Sequence, residues 1–505
     1  MTAQSGSEPG SGHTFALKVL PIILKPAEHW LSDTPPDDHH WGFVRTRSDY
    51  EHEKAAITEQ LSRLISDLRG EGYNVELQPP LEVQKVGDLL RARDGIDAQL
   101  GIVLAFDHYP YGDPSIPLGT VTGLFPPDPQ HQMLLALNSI IDHLVIYNKV
   151  DPLYSGAFIG VEAYSVLKDR GLANDMIVVT ENPDRLRKAI KVIYALEKLR
   201  SERLLFVGEP GTFAGPDSGW AAFYRARRKF GFDVKFITPD EFWRDYEEKE
   251  RTSSADAMRV AQEWLRNAAG VRREELNDEK LLRGGLFHLL LTDYVRKYGA
   301  DFLNVQCAVT RVATGAMTLF IPCMSLQYLR DSGYTVVCQG DAAGMIPYFL
   351  LRWIANKPVF LADPVFHEGR NTLMLAHCTA PTRMLGFDRP PFRYIARKHH
   401  ETGSAPAPAV KFEPGTVTVL AMSYDFTRIM VVRGEVVGSP DNPAMCRSQA
   451  EIKVPVDVSL IRENTQGWHY FMVYGDYVEE IELLARLIGA QLVKFTRSDV
   501  GNLHG

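Results

Sequence analysis

GIVLAF at Gly101–Phe106 is an unbroken apolar run that stops at the polar cluster Asp107, His108 and Tyr109. LVIYN at Leu144–Asn148 repeats the design and ends in Asn148, Lys149 and Asp151. Short apolar runs closed by polar residues fit buried strands whose carboxyl ends open onto a cleft. Around them, Phe15–Lys25 reads as a further buried strand ending at Pro26. Tyr50–Gly70 places Ala56, Ile57, Leu61, Leu64, Ile65 and Leu68 at helical spacing before Gly70 and Gly72 stop it. Strand, helix and strand with polar strand ends is the pattern of an open parallel α/β sheet, in which ligands sit outside the carboxyl ends of the strands.

A second cycle begins after the helix Arg185–Arg200. Leu204–Val207 is a strand, Gly208–Gly219 a glycine-rich turn, Trp220–Phe230 a helix and Val234–Ile237 the next strand. The helix Gly285–Tyr298 leads to strands at Phe302–Cys307 and Tyr334–Cys338. Beyond Pro358 the chain turns to β-branched, alternating runs: Thr416–Met422, Ile429–Val432, Glu435–Val437, Glu451–Val456 and Tyr470–Val473, closed by the helix Tyr477–Leu487. The fold class expected is therefore α/β, with two open parallel-sheet α/β domains followed by a β-rich antiparallel C-terminal domain. The expected divisions are a disordered tail at 1–13, domains at 14–164 and 165–355, and the β-rich domain at 356–505.

The 505 residues are 45% hydrophobic and 23% charged, which excludes a long disordered chain or a disulfide-stapled miniprotein. With 55 Lys plus Arg against 63 Asp plus Glu, nothing drives the chain toward nucleic acid or an anionic membrane. No apolar run is long enough to span a bilayer. The five cysteines all lie beyond residue 300 at spacings that pair none of them, so they read as reduced thiols of a cytoplasmic protein. A cluster of them requires that the fold converge them.

Walker A, GxSxG, CxxC and HExxH motifs are absent. GEPGTFAG at Gly208–Gly215 reads as a strand-to-helix turn, and Asp37-Asp38-His39-His40 as solvated loop. Asp107-His108-Tyr109 and Asn148-Lys149 are candidates for a cleft lining. The densest polar stretch is Val337–Thr382, with Cys338-Gln339-Gly340-Asp341, Asp363, His367-Glu368, Asn371 and His377-Cys378. For Asp341 the plain alternative is a helix N-cap, and for His377 a satisfied core histidine.

IPCMSLQ at Ile321–Gln327, CQGD at Cys338–Asp341, KPVFLADP at Lys357–Pro364, NTLMLAHC at Asn371–Cys378 and HYFMVYGD at His469–Asp476 together resemble the L-fucose/L-arabinose isomerase-like family. HETG at His400–Gly403, FEPGTVT at Phe412–Thr418 and RGE at Arg433–Glu435 extend the resemblance in order and spacing. It implies a homo-oligomeric (trimeric or hexameric) sugar isomerase that interconverts aldose and ketose through a metal-stabilised enediolate, with a small carbohydrate as its substrate. It implies a divalent cation, usually Mn²⁺, with Asp341 and His469 as metal ligands and Asp341 and His377 at the chemistry. Gln339, Asn371 and Trp468 would contact substrate. The family's glutamate upstream of the aspartate has no counterpart between Asp301 and Asp331, where Thr310, Arg311 and Thr314 fall, and Gln339 stands for the acid of a Glu-Gly-Asp motif. Arg311 is then a catalytic candidate that would favour an anionic sugar derivative. A carbohydrate-binding or assembly protein, and a lyase or epimerase on the same fold, remain the alternatives.

Overall fold

The computed structural model describes residues 15–25, 46–83, 86–105, 129–149, 154–211, 215–307, 310–313, 316–319 and 321–496. Asp37–His40, Asp107–Tyr109, Thr314 and residues 212–214 of the glycine-rich turn lie outside them, as do the side chains of 310–313. The chain divides into two compact units. One is Phe15–Glu197 with Arg486–Gly489, and the other runs through Lys198–Ala485 and resumes at Ala490.

In the first unit, the buried runs pair as expected into an all-parallel sheet. Its order is Val75–Leu77, Leu17–Leu24, Leu100–Ala105, His143–Asn148, Met176–Thr180, with Leu81–Val83 also pairing to Leu17–Leu24. The helix Arg47–Gly70 starts at a capping box, in which Thr46 Oγ1 accepts from the Asp49 N–H and the Asp49 carboxylate accepts from the Thr46 N–H. It buries Tyr50, Ile57, Leu61, Leu64, Ile65 and Leu68, the stripe its sequence spacing defines. Here Lys149 forms an ion pair with Glu53 at 2.5 Å and Asn148 is buried.

In the second unit, a four-stranded parallel sheet runs Thr335–Cys338, Phe302–Val305, Arg203–Val207, Asp233–Ile237. Two long helices, Pro239–Asn267 and Asp278–Tyr298, pack with backbones nearly in contact: a Cβ on Gly285 would sit 2.0 Å from the Ala257 carbonyl oxygen. A short hairpin, Thr310–Ala313 with Ala316–Leu319, follows this sheet's third strand in sequence and is not apparent from the residue pattern.

The β-rich region closes on itself. The order is Gly415–Met422, Tyr470–Tyr474, Phe360–His367, Thr372–His377, Ser448–Lys453, Arg428–Gly438, and Arg428–Gly438 pairs back to Gly415–Met422, which makes a six-stranded antiparallel barrel. Gln491–Phe495 adds a parallel strand to Arg428–Gly438, so the whole sheet is mixed. Closure leaves few exposed strand edges, which an open sheet of this size would have to protect. Ile429–Val432 and Glu435–Val437, two runs by sequence, form one eleven-residue strand because Gly434 lets the chain pass Ile452 without a break. Alternate residues (Phe360 and Ala362, Leu373 and Leu375, Val417 and Val419, Tyr470 and Met472) belong to one core. Asp363, His469 and Phe471 fall on the other parity, and Phe471 packs on Tyr348 of the helix Met345–Ala355.

No helix among the described residues is long and apolar enough to cross a membrane. Gly285→Ala is expected to cost about 1–3 kcal/mol or more through overpacking against the Ala257 backbone. Gly70→Ala, whose Cβ meets nothing within 4 Å, should change stability by less than about 0.5 kcal/mol. Chemical denaturation of the two variants checks this, and equal midpoints would contradict the close approach.

Candidate active site

Asp341 stands just past the carboxyl end of the Thr335–Cys338 strand, the placement expected for a site residue of a parallel sheet. Its two oxygens are committed separately. Oδ1 accepts from the backbone N–H groups of Ala343 (3.2 Å) and Gly344 (2.8 Å), at the start of the helix Met345–Ala355. Oδ2 lies 2.7 Å from His469 Nδ1. Both side chains are buried, at 6% and 0% exposure. Gly344 is dictated by this packing, since a Cβ there would lie 2.1 Å from Asp341 Oδ2 and 2.8 Å from Phe471. Asp341 is thus both the helix cap of its plain reading and one half of a buried Asp–His pair.

With Nδ1–H donated to Asp341, the imidazole presents Nε2 as its acceptor. That atom is buried and without a hydrogen-bond partner, and its nearest charged neighbour is Asp363 Oδ1 at 3.6 Å, too long for a direct bond. Asp363 is 41% exposed, the wet end of a chain of three side chains running from Asp363 through His469 to Asp341. Burial lifts its carboxyl above the usual carboxylate range, His469 draws it back down, and Glu401 and Asp341 push it further up. Asp363 stood in the polar stretch of the sequence without a role. The signal that finds it is strand parity, because Ala362 pairs with Tyr470 and so sets Asp363 beside His469.

His377 ends the Thr372–His377 strand with its ring centroid 5.6 Å from that of His469, edge to face. Its Nδ1 lies 2.9 Å from Thr379 Oγ1. Burial, then the neighbouring His469, Arg330 and His399, holds it well below the ordinary histidine value and hence neutral. Trp468 stacks on His469 at 4.4 Å and 20°. Gln339 takes a left-handed φ of 64° and, with His377, His399, Glu401 and Thr402, lines a cavity of about 190 Å³. Arg330, unnoticed in the sequence, is buried. It donates to the Val336 carbonyl at 2.8 Å and to the Thr379 carbonyl, with its guanidinium over the Tyr348 ring.

The structure therefore brings together Asp341, His469, His377, Trp468 and Gln339. It places Asn371 at the opposite end of the His377 strand, about 20 Å away at 3.3 Å per residue. There its side chain donates to the Val456 carbonyl and accepts from the Val458 N–H. Arg311 lies in Thr310–Ala313, opposite Thr318, and its side chain is outside the described residues. Among the described residues no three His, Cys, Asp or Glu side chains converge to hold a metal ion. Asp341 and His469 turn their facing atoms on one another, and the His469 Nε2–Asp363 pair falls one ligand short of a site. The described donor set does not fit a divalent cation on its own.

A buried Asp–His pair thus stands at the end of a parallel strand of the α/β region, near a small cavity lined by Gln339, His377, His399, Glu401 and Thr402. No known family profile matches the chain. It is 24% identical over 242 residues to two proteins named sulfoquinovose isomerase, from Priestia aryabhattai and Priestia megaterium. In each case the match takes in 46% of this chain and 53% of the relative, so it spans about half the length of the proteins it matches.

His399, in the cavity wall, gives a pH test. Its Nδ1 accepts from the Thr402 N–H at 3.3 Å, and burial together with His400 and Arg447 holds it near 4. In the unfolded chain it titrates near 6.5. The unfolded state then binds the extra proton first, so stability is full above about pH 6.5 and is lost as pH falls toward 4. Asp363 acts in the opposite sense, losing its contribution as pH rises from about 4. The discriminating quantity is therefore the difference between wild type and His399→Gln: the variant's melting temperature should fall less between pH 7.5 and pH 5. Parallel curves would show that His399 is not held neutral.

Proposed function

We propose that this protein is a sugar isomerase that interconverts an aldose and a ketose, with Asp363 as the proton-carrying carboxylate and the His469–Asp341 pair as its buried support. The observation that carries this reading is the three-residue chain itself. It runs from a partly exposed carboxylate whose proton affinity is raised, to an unpartnered imidazole Nε2, to a carboxylate fixed by two backbone amides. The similarity to two sulfoquinovose isomerases supports the reaction class and makes sulfoquinovose the first sugar to try.

Aldose–ketose interconversion moves one proton between adjacent carbons through an enediol. The base must take a proton from one carbon and deliver one to its neighbour, so a carboxyl raised above the ordinary carboxylate range and open to solvent exchange is suited to both halves. His469 Nε2 faces Asp363 and stabilises its charged form when the imidazole is protonated. Asp341, held by the Ala343 and Gly344 N–H groups, keeps Nδ1–H directed inward and fixes the tautomer. Trp468, half-buried and stacked on His469, offers an aromatic plane at the edge of the site for the apolar face of a sugar ring.

General acid–base catalysis is worth about 10²–10⁴-fold, so Asp363→Asn should lower kcat by that factor with the fold intact, while Asp363→Glu recovers part of it. The assay is conversion of sulfoquinovose and of unsubstituted hexoses followed by NMR in D₂O, where deuterium entering the carbon beside the carbonyl reports proton transfer. Asp363→Asn turning over at the wild-type rate would refute the role of Asp363. A folded wild-type protein that isomerises none of these sugars would refute the isomerase reading.

A further inference from the structure

The five cysteines, spread from Cys307 to Cys446, converge. All are free thiols. Cys323 and Cys378 share a small buried cluster that Cys446 packs against, and Cys307, Cys323 and Cys338 line the 190 Å³ cavity. Within this group one pair stands apart, because Cys307 Sγ and Cys338 Sγ are only 3.0 Å from each other. Both sit at carboxyl ends of neighbouring parallel strands, Cys338 being the strand partner of Val305 two residues before Cys307. They differ in surroundings: Cys338 is 2% exposed, whereas Cys307 is only partly buried, on the cavity wall.

We propose that Cys307 and Cys338 form an oxidisable dithiol beside the candidate active site, with Cys307 the thiol that reacts with a peroxide and Cys338 the thiol that resolves it into a disulfide. Cys307 Sγ accepts from the Gln339 backbone N–H at 3.4 Å, lies 3.7 Å from the Val305 carbonyl oxygen and has the Cys338 thiol as its sulfur neighbour, so it is the member of the pair that a small oxidant can reach. The hydrogen bond to Cys307, and then burial, pushes the Cys338 thiol well above the usual range, which keeps its proton in place as a donor. Gln306, Gln339, Glu401 and Thr402 line the cavity beside Cys307 and place polar groups on the approach to it.

The electrons balance with hydrogen peroxide as oxidant. The Cys307 thiolate attacks one peroxide oxygen, an S–O bond forms, the O–O bond breaks, and the departing hydroxide takes up the thiol's proton as water. Cys338 sulfur then attacks the Cys307 sulfenic acid, the S–S bond forms, the S–O bond breaks, and the second hydroxide leaves as water with the Cys338 proton. Two thiols and one peroxide give one disulfide and two waters. A disulfide needs about 2.05 Å between the sulfurs, so closure draws them together by about 1 Å. Cys338 connects to Asp341 through Gln339 and Gly340 alone, both with left-handed φ of 64° and 63°, and Gly340 is fixed by bonds to Val305 and Gly211. That short tether carries the displacement to Asp341. The effect on turnover rests on the isomerase reading, whereas formation of the disulfide does not.

The test uses the full chain, reduced, desalted and titrated with hydrogen peroxide, then alkylated and mapped by mass spectrometry. The expected product is a Cys307–Cys338 cross-linked peptide lighter by two hydrogens and restored by dithiothreitol. Cys338→Ala should instead leave a Cys307 sulfenic acid that dimedone traps, and Cys307→Ser should leave Cys338 unoxidised at the same dose. A first cross-link between Cys378 and Cys446, or Cys307 unreactive in the folded Cys338→Ala protein, would overturn the proposal. Cross-linking in a protein that isomerises no sugar would support the dithiol and count against the isomerase alone.

Discussion

The Asp341 carboxylate is the constraint on which this region depends. Oδ1 satisfies two amides at the start of the helix Met345–Ala355, and Oδ2 holds His469, which opens a barrel strand far away in sequence. One side chain therefore joins the edge strand of the parallel sheet, the helix that follows it and the barrel. Oδ1 is held by backbone N–H groups at the helix start, which leaves Oδ2 free to face the imidazole. Its surroundings are dry, which makes the pair strong and makes loss of either partner costly, since the other is left buried and unsatisfied.

The charge around this pair is arranged unevenly. His377 and His399 are held neutral by burial, and Arg330 is buried nearby. Its guanidinium is spent on the Val336 and Thr379 carbonyls and lies over Tyr348. The same guanidinium helps to hold His377 neutral. Tyr424 carries the complementary signature: burial, then the nearby Asp341, pushes its hydroxyl up to about 12, so it stays protonated beside the carboxylate.

Much of this was legible in the residues. Continuous apolar runs identified the parallel strands, because strands buried on both faces cannot afford polar positions, and polar residues following such runs located Asp341. Alternation identified the C-terminal strands. Barrel closure was not legible, because pairing of Gly415–Met422 with both Tyr470–Tyr474 and Arg428–Gly438 is a fact of three dimensions that local periodicity does not encode. The same limit hid Asp363, which reads as the polar residue before Pro364 until the register with Tyr470 is known. Asn371 shows the converse. A polar side chain inside a motif-rich stretch serves the backbone at 456–458, at the end of its strand remote from His377. The cysteines are invisible as a cluster in sequence, since the contact between Cys307 and Cys338 depends on two strands lying side by side.

For Asp341 the cap and the site were rival readings of the sequence, and the structure makes them cooperative. A carboxylate free to rotate would lose rotamer entropy each time it oriented His469. With Oδ1 pinned by two N–H groups and Gly344 excluding any side chain from the space beside Oδ2, that entropy is lost once, on folding. The imidazole then inherits a fixed tautomer and a fixed direction for Nε2, which is what a group supporting a proton-carrying carboxylate requires. An aspartate at a helix start is therefore no evidence against a functional role. Where its second oxygen meets a buried histidine, the cap is what makes the pair precise.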